Sequence, residues 1–188
     1  ADGVTSISLR LEVLSPLTKN LTYYIPSRFD EGYGLNKDAI SLIREQGCDL
    51  ILTVDCGSVS YEEVEYGKSI GIDFIVTDHH NINDRPADCI LINPKQEDCP
   101  YPFKHLAGCG VAFKLAQGIQ RKADLPKSVL NGVLDLVAIA TIGDIVPLID
   151  ENRTLTKYGM GIINSRRRPG LARLIEEAGL STDKIKSE

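Results

Sequence analysis

The sequence predicts an α/β fold: a parallel sheet with helices on both faces, followed by an all-helical C-terminal segment. Three observations carry this reading. Short apolar runs rich in β-branched residues recur at Leu50–Val54, Phe74–Thr77 and Ile90–Ile92. Stretches with helical periodicity separate them, the alternation that builds βαβ units. After Asn93-Pro94 only helical periodicity remains. The 188 residues, 43% hydrophobic and 25% charged, are globular in composition and suit one domain with a small extension.

The elements follow in order. An apparent helix opens at the chain start behind Asp2-Gly3. Leu21–Ile25 reads as a strand. Asn36 can cap a helix whose Ala39, Ile40 and Ile43 share a face, and Gly47 stops it. Leu50–Val54 is continuously apolar apart from Thr53, as in a strand buried on both faces. Ser60 and Glu63 have the spacing of a capping box for a helix ending near Gly71. Phe74–Thr77 is the next buried strand, and Ile90–Ile92 a short one ended by Asn93-Pro94. Val111, Leu115 and Ile119 stack on one helix face; a second helix runs from about Pro126 to about Ala140. Two more are expected near 152–164 and 170–179, separated by Arg168-Pro169-Gly170. Residues 1–150 are expected to form one domain and 151–188 a helical extension.

Composition excludes several classes. No apolar run is long enough to span a bilayer, and no charged start followed by an apolar stretch reads as a secretory signal. The cysteines, five in number and without a C-x-x-C pair, read as reduced thiols of a cytosolic protein. The net charge of −5 argues against a DNA-coating protein. Charge is nevertheless uneven: residues 1–150 hold 13 basic and 21 acidic residues, whereas 151–188 hold 8 and 5, Arg166, Arg167 and Arg168 among them. That cluster reads either as a solvated helix end or as a patch following a phosphate backbone.

Two acids come directly after buried strands: Asp55 in Thr53-Val54-Asp55-Cys56-Gly57 and Asp78 in Thr77-Asp78-His79-His80. Their separation of 23 residues suits one βαβ crossover, which puts both at the carboxyl edge of the sheet, where open α/β sheets bind ligands. Carboxylates gathered there call for a cation. Oxygen ligands favour a hard ion, and an added imidazole moves the preference from Mg²⁺ toward Mn²⁺. Asp2, before Gly3, and Asp144, in Ile142-Gly143-Asp144-Ile145-Val146, have the same look, although each alone also fits a turn or a cap.

Asp2-Gly3, Thr53-Val54-Asp55, Asp78-His79-His80 and Gly143-Asp144 occur in the order of the four motifs of the DHH phosphoesterase superfamily, which the chain resembles over nearly all its length. The stretches between them are similar to its single-stranded-DNA exonuclease branch. They include Glu31-Gly32-Tyr33-Gly34-Leu35, Leu91-Ile92-Asn93-Pro94-Lys95, Tyr101-Pro102-Phe103-Lys104, Gly108-Cys109-Gly110-Val111 and Glu151-Asn152-Arg153. The resemblance implies that an upstream Asp, the first strand and a further C-terminal domain lie outside this sequence. The chain by itself is then expected to bind Mn²⁺ weakly and to have little activity.

It also implies a cytoplasmic enzyme of DNA repair and recombination that cuts single-stranded DNA from 5′ to 3′, with single-strand-binding protein or helicase partners. The implied chemistry is two-metal phosphodiester hydrolysis with Mn²⁺ or Mg²⁺, the ions about 3.5–4 Å apart. Asp55 would bridge the ions; Asp2, His79 and Asp144 would complete one shell. His80 would face the scissile phosphate. Asp78 would orient an imidazole or cap the following turn. Arg28 would hold a phosphate oxygen, or pair with Asp30 or Glu31. Gly108 and Gly110 would present backbone N–H groups to a phosphate, or form a tight loop needing positive φ. Another superfamily phosphodiesterase, acting on short oligonucleotides or cyclic dinucleotides, is the competing enzyme reading, and a metal-free scaffold the non-catalytic one.

Overall fold

The computed structural model describes residues 1–27, 29–180 and 184–186. At its centre, three parallel strands, β1 (Leu50–Val54), β2 (Asp73–Thr77) and β3 (Ile90–Ile92), lie in the order β1-β2-β3. Thr53 pairs with Val76, and Thr77 with Ile92, so the three strands end level with one another. The loops leaving them therefore emerge together along one edge.

Alternation along the strands directs side chains to two layers. Phe74 and Ile51 join Ile40 of α2 (Lys37–Glu45) and Val64 of α3 (Tyr61–Ser69) in one apolar cluster. The opposite face meets α1 (Asp2–Leu14) and α4 (Gly108–Lys122). Leu9, Val13, Cys109, Val111 and Phe113 from those helices build the larger core. Leu136, Val137 and Ala140 of α6 (Leu134–Gly143) complete it, and Ile92 packs against it. Helices thus cover both faces, as the sequence pattern predicts. α7 (Asp150–Asn164) and α8 (Pro169–Glu177) follow, with Ile163 and Ile175 packed on Ala138 of α6. Among the described residues no helix is long and apolar enough to cross a membrane.

Local expectations fare unevenly. Asn36 caps α2, its Oδ1 accepting the Ala39 N–H at 2.7 Å, and Gly47 follows with φ +84°. Among the described residues Leu21–Ile25 joins no ladder: Tyr23 and Ile25 are exposed, and no neighbouring strand takes up their backbone groups. Ser60 makes no side-chain cap, so the capping box with Glu63 does not form; α3 instead grows out of a turn in which the Ser60 N–H donates to Gly57 O. The helix expected from Pro126 to Ala140 is broken at Val133, φ −108° and ψ 2°, into α5 (Lys127–Gly132) and α6. The break follows Asn131-Gly132, weak helix formers, and leaves Val133 fully buried. Arg168 is already engaged. It pairs with Asp135 at 2.8 Å and with Glu12, joining α6, α1 and the start of α8, so it is not an open phosphate contact.

Two features of this packing are sharply testable. Gly159 brings α7 against the backbone of α6: a Cβ there would lie 2.2 Å from Leu134 O and 2.5 Å from the Ala138 Cβ. Gly159→Ala is expected to destabilise the chain by about 1–3 kcal/mol, despite the higher helix propensity of Ala, as measured by urea unfolding. Arg10 of α1 is 4% exposed, and all three guanidinium nitrogens lack hydrogen-bond partners. Burial lowers its pKa to about 10, which leaves it charged at neutral pH. Arg10→Met should raise stability by about 1–4 kcal/mol, because it removes an uncompensated buried charge while preserving bulk. An unchanged or lower melting temperature would contradict this.

Candidate active site

Each parallel strand delivers a polar residue to the same edge: Asp55 after β1, Asp78-His79-His80 after β2 and Asn93 after β3. α1 and α6 bring Asp2 and Asp144 to that edge from the helical layer. The His79 Nε2 lies 3.1 Å from Asp55 Oδ1, 3.6 Å from Asp144 Oδ2 and 3.8 Å from Asp2 Oδ2. Two overlapping sets could each hold a metal ion, Asp55–His79–His80 and Asp2–His79–Asp144, with His79 common to both.

The approach is close because glycines permit it. A Cβ on Gly108 would sit 2.7 Å from Asp55 Oδ1, and one on Gly3 would lie 3.4 Å from Asp55 Oδ2. Asp55 itself adopts φ +61°, a region where Asp is tolerated better than most residues. Two contacts hold it there. Its N–H donates to Thr77 O at 2.9 Å, and Tyr33 donates its hydroxyl to Asp55 O at 2.6 Å.

Asp2 is buried, and its Oδ2 and Oδ1 accept the N–H groups of Gly108 and Cys109, both at 2.7 Å. A carboxylate from α1 thereby caps the N-terminus of α4, where the helix dipole favours negative charge. This displaces the expected phosphate cradle: the Gly108 N–H is taken up by Asp2, and Gly110 is buried against the Leu106 side chain. Neither glycine has positive φ, so they do not form the tight loop either. Arg28 lies outside the described residues.

Asp78 is almost fully buried. Its Oδ1 accepts the N–H groups of His79 (2.7 Å) and His80 (3.2 Å), capping the turn, and contacts His80 Nδ1 at 2.7 Å. The imidazole it orients is thus that of His80. Its Oδ2 accepts the Ser58 N–H at 3.0 Å. Asn93, 1% exposed, donates to Ser58 Oγ and to His80 O, both at 2.9 Å. The His80 side chain stays 49% exposed, its ring 4.5 Å from that of His79 and edge-on to Tyr33 at 6.1 Å.

The electrostatics match the geometry. Burial, and then the charge of Asp55, raise the Asp2 pKa to about 6, against the lowering effect of the Cys109 and Gly108 N–H donors. For His79, burial disfavours the charged form, but Asp55, Asp2 and Asp144 outweigh it and the pKa is raised. Burial pushes Asp78 up as well; there the hydrogen bonds from His80 and Ser58 win, and its pKa is lowered. His79 Nε2 is buried with no hydrogen-bond partner, since none of its carboxylate contacts has hydrogen-bond geometry. An imidazole nitrogen unsatisfied among three carboxylates fits a divalent cation in donor chemistry and in charge.

Several supporting residues escaped sequence reasoning. Asn152 is fully buried and donates to His105 O at 2.6 Å and Pro147 O at 3.0 Å, fastening the loop that follows Asp144. Glu151 accepts from the Tyr101 hydroxyl at 2.6 Å and pairs with Lys114 at 2.7 Å, binding α7 to α4. From sequence alone Tyr101, His105 and Tyr33 carry no signal beyond packing or, for Tyr33, base stacking. Their polar contacts span 22 to 50 positions, so no local pattern announces them.

The family described as "DHH family, N-terminal domain" matches residues 1–141. The single-stranded-DNA-specific exonuclease RecJ of Bacillus subtilis (strain 168) is 46% identical over 180 residues, 95% of this chain and 22% of that protein. RecJ of Escherichia coli (strain K12) is 40% identical over 98% of this chain and 34% of its own length. The chain thus spans between about a fifth and a third of these relatives. A crystal structure of exonuclease RecJ bound to manganese superposes with a TM-score of 0.86 at 31% identity, covering 99% of this chain and 47% of that one. RecJ from Thermus thermophilus in complex with Mn²⁺ gives 0.77, also at 31% identity, over 94% of this chain and 25% of that one. With the family match covering residues 1–141, well over half of the chain, the chain belongs to the DHH family.

Proposed function

We propose that residues 1–150 form the cation-holding domain of a cytoplasmic, metal-dependent exonuclease acting on single-stranded DNA from 5′ to 3′ in repair and recombination, with 151–188 as its helical extension. A single-strand-binding protein or helicase would supply its strand. The observation that carries the proposal is the His79 Nε2, buried, unsatisfied and ringed by Asp55, Asp2 and Asp144. The RecJ relatives and the manganese-bound RecJ structure support it.

Asp2, Asp55, His79 and Asp144 would hold Mn²⁺ or Mg²⁺. Bound there, the cation supplies Lewis-acid stabilisation of a phosphoryl oxygen. The residues do the rest. Asp78 fixes the His80 ring through Nδ1, which turns Nε2 toward solvent and lets it hold or deliver a proton at the leaving oxygen. Gly108 and Gly3 keep the space beside Asp55 free of side chains. Asn152 and Glu151 keep the loop after Asp144 in place.

Calorimetric titration with Mn²⁺ tests the pocket. Asp55→Ala and His79→Ala should each lower affinity at least about tenfold, in line with loss of a direct ligand, whereas His80→Ala should lower turnover more than affinity. In a protein extended to the length of the RecJ relatives, Mn²⁺-dependent degradation of a labelled single-stranded 20-mer, with duplex spared, is the expected activity; the 188-residue chain alone should show little. Cleavage of dinucleotides alone would transfer the chain to the phosphodiesterase reading, and absence of Mn²⁺ binding would refute the metal assignment.

The pH dependence follows from Asp2. Its folded pKa of about 6 exceeds the ordinary 3.8, so between these values the folded state holds a proton that the unfolded chain has released. Cation-free stability attributable to Asp2 is therefore present below about pH 4 and lost as pH rises to about 6. Asp2→Asn should remove this slope, seen as a difference in melting temperature between the two proteins across that range. Mn²⁺ binding by the unaltered chain should weaken by up to about tenfold per unit below pH 6, because the ion must displace the proton.

Asn152→Ala should lower Mn²⁺ affinity several-fold and cost about 1–3 kcal/mol of stability by removing the two hydrogen bonds of a buried amide. Asn152→Asp should do no better, since a carboxylate cannot donate them. Retention of full affinity in both variants would show that the loop does not position Asp144.

A further inference from the structure

We propose that the groove between α7 and residues 184–186 is a binding track for the phosphodiester backbone of a single-stranded nucleic acid. It would carry the part of the strand that extends beyond the catalytic pocket; the identity of that strand as substrate rests on the function proposed above.

The groove encloses about 580 Å³. Arg153 and Lys157 line it from α7, one helical turn apart on the same face, and Lys184 and Lys186 line the opposite wall. No acid is among its described lining residues, although the whole chain carries a net charge of −5. None of these four cations forms an ion pair or a side-chain hydrogen bond among the described residues. Some cations elsewhere are neutralised, as in Lys68 with Asp88, Lys114 with Glu151 and Arg168 with Asp135, and others, such as Arg121 and Lys122, are not among the described residues; what distinguishes these four is that they line one groove. Glu151, next to the groove in sequence, is taken by Lys114 and Tyr101.

The wall is built rather than incidental. Asn164 clamps Ile185 at both backbone groups, accepting its N–H at 2.8 Å and donating to its carbonyl at 3.0 Å. In an extended stretch the residues on either side of Ile185 then share a face. A second observation points to a ligand. Thr156, 4% exposed, lines the groove with its hydroxyl unpartnered. A helical Thr ordinarily donates to the carbonyl four residues back, as Thr154 does to Asp150. Thr156 is thus left with an unpaired buried donor beside the groove.

The groove adjoins the candidate site along the chain: Leu148, one of its lining residues, belongs to the loop running from Asp144 into α7. Four cations spread along a channel suit a ligand whose charge repeats along its length, more than a compact anion that would need them convergent.

The test uses fluorescence anisotropy of the 188-residue chain with labelled oligothymidylate in EDTA, over a series of KCl concentrations. For single strands each phosphate contact contributes about −0.7 to the slope of log K against log salt. The double substitution Arg153→Gln/Lys157→Gln should flatten the slope for a 20-mer by about 1.4 and weaken its binding about tenfold at low salt. Thr156→Val should weaken the 20-mer two- to three-fold at unchanged slope. Arg121→Gln/Lys122→Gln, at the end of α4, makes the same charge change elsewhere and should leave the slope intact. An oligouridylate 20-mer should respond to the groove substitutions as oligothymidylate does, because the backbone is the common feature. The track is refuted if the groove pair leaves the slope unchanged or flattens it no more than the α4 pair. Because EDTA removes the metal, the groove is tested apart from the chemistry: a protein extended to the length of the RecJ relatives that binds the 20-mer through the groove but shows no Mn²⁺-dependent hydrolysis would overturn the exonuclease reading alone.

Discussion

The Asp2 carboxylate is the hinge on which this architecture turns. It begins α1, caps the first two N–H groups of α4 and lies 3.8 Å from the His79 imidazole. One side chain thereby fixes two helices against each other and sets the distance from both to the carboxyl edge of the sheet. Its burial next to Asp55 opposes ionisation, and the N–H donors of α4 only partly offset that opposition. The same residue is thus a structural cap and an electrostatic load, and a divalent cation would relieve the load without loosening the cap.

Around it, negative charge is concentrated by backbone geometry rather than by chance proximity. Parallel strands in level register deliver Asp55 and His79 side by side. Glycine at 108 removes the side chain that would hold Asp55 away, and the left-handed conformation of Asp55 turns its carboxylate inward. A further left-handed residue, Ile145, follows Asp144 directly; φ +58° is costly for a β-branched side chain, and this one is 89% exposed. Strain on both sides of the cluster is sustained by contacts outside it. Tyr33 holds the Asp55 carbonyl, and Asn152 holds the loop beyond Asp144.

A second polar network stands behind the first. Asp78, Ser58, Asn93 and the His80 backbone satisfy one another with little exposure to water, which keeps the three strand ends from moving independently. His80 is the member that reaches solvent. The cation cluster and the exposed imidazole therefore rest on separate supports, and one can be altered without dissolving the other.

The continuous apolar run of β1, the capping Asn36 and the periodicity of α4 announce the sheet and most of the helices. The acids after strands announce the candidate site, because strand direction alone determines which edge they reach. What fails locally is what depends on partners. Leu21–Ile25 has strand composition but no neighbour to pair with among the described residues, and Ser60 has capping chemistry but sits in a turn that leaves its hydroxyl without a cap to make. The two glycines of α4 have the composition of a phosphate cradle, but the Asp2 carboxylate, 106 positions away, occupies the Gly108 N–H. Tyr33, Asn93 and Asn152 are likewise invisible as site supports, since each acts through a hydrogen bond to a residue remote in sequence. The sequence by itself determined the fold class and the residues able to bear the chemistry, because composition and periodicity are local. Which of them converge, which N–H groups stay open and which cations remain unneutralised were decided only by tertiary structure, because each depends on what lies across space within a few ångströms.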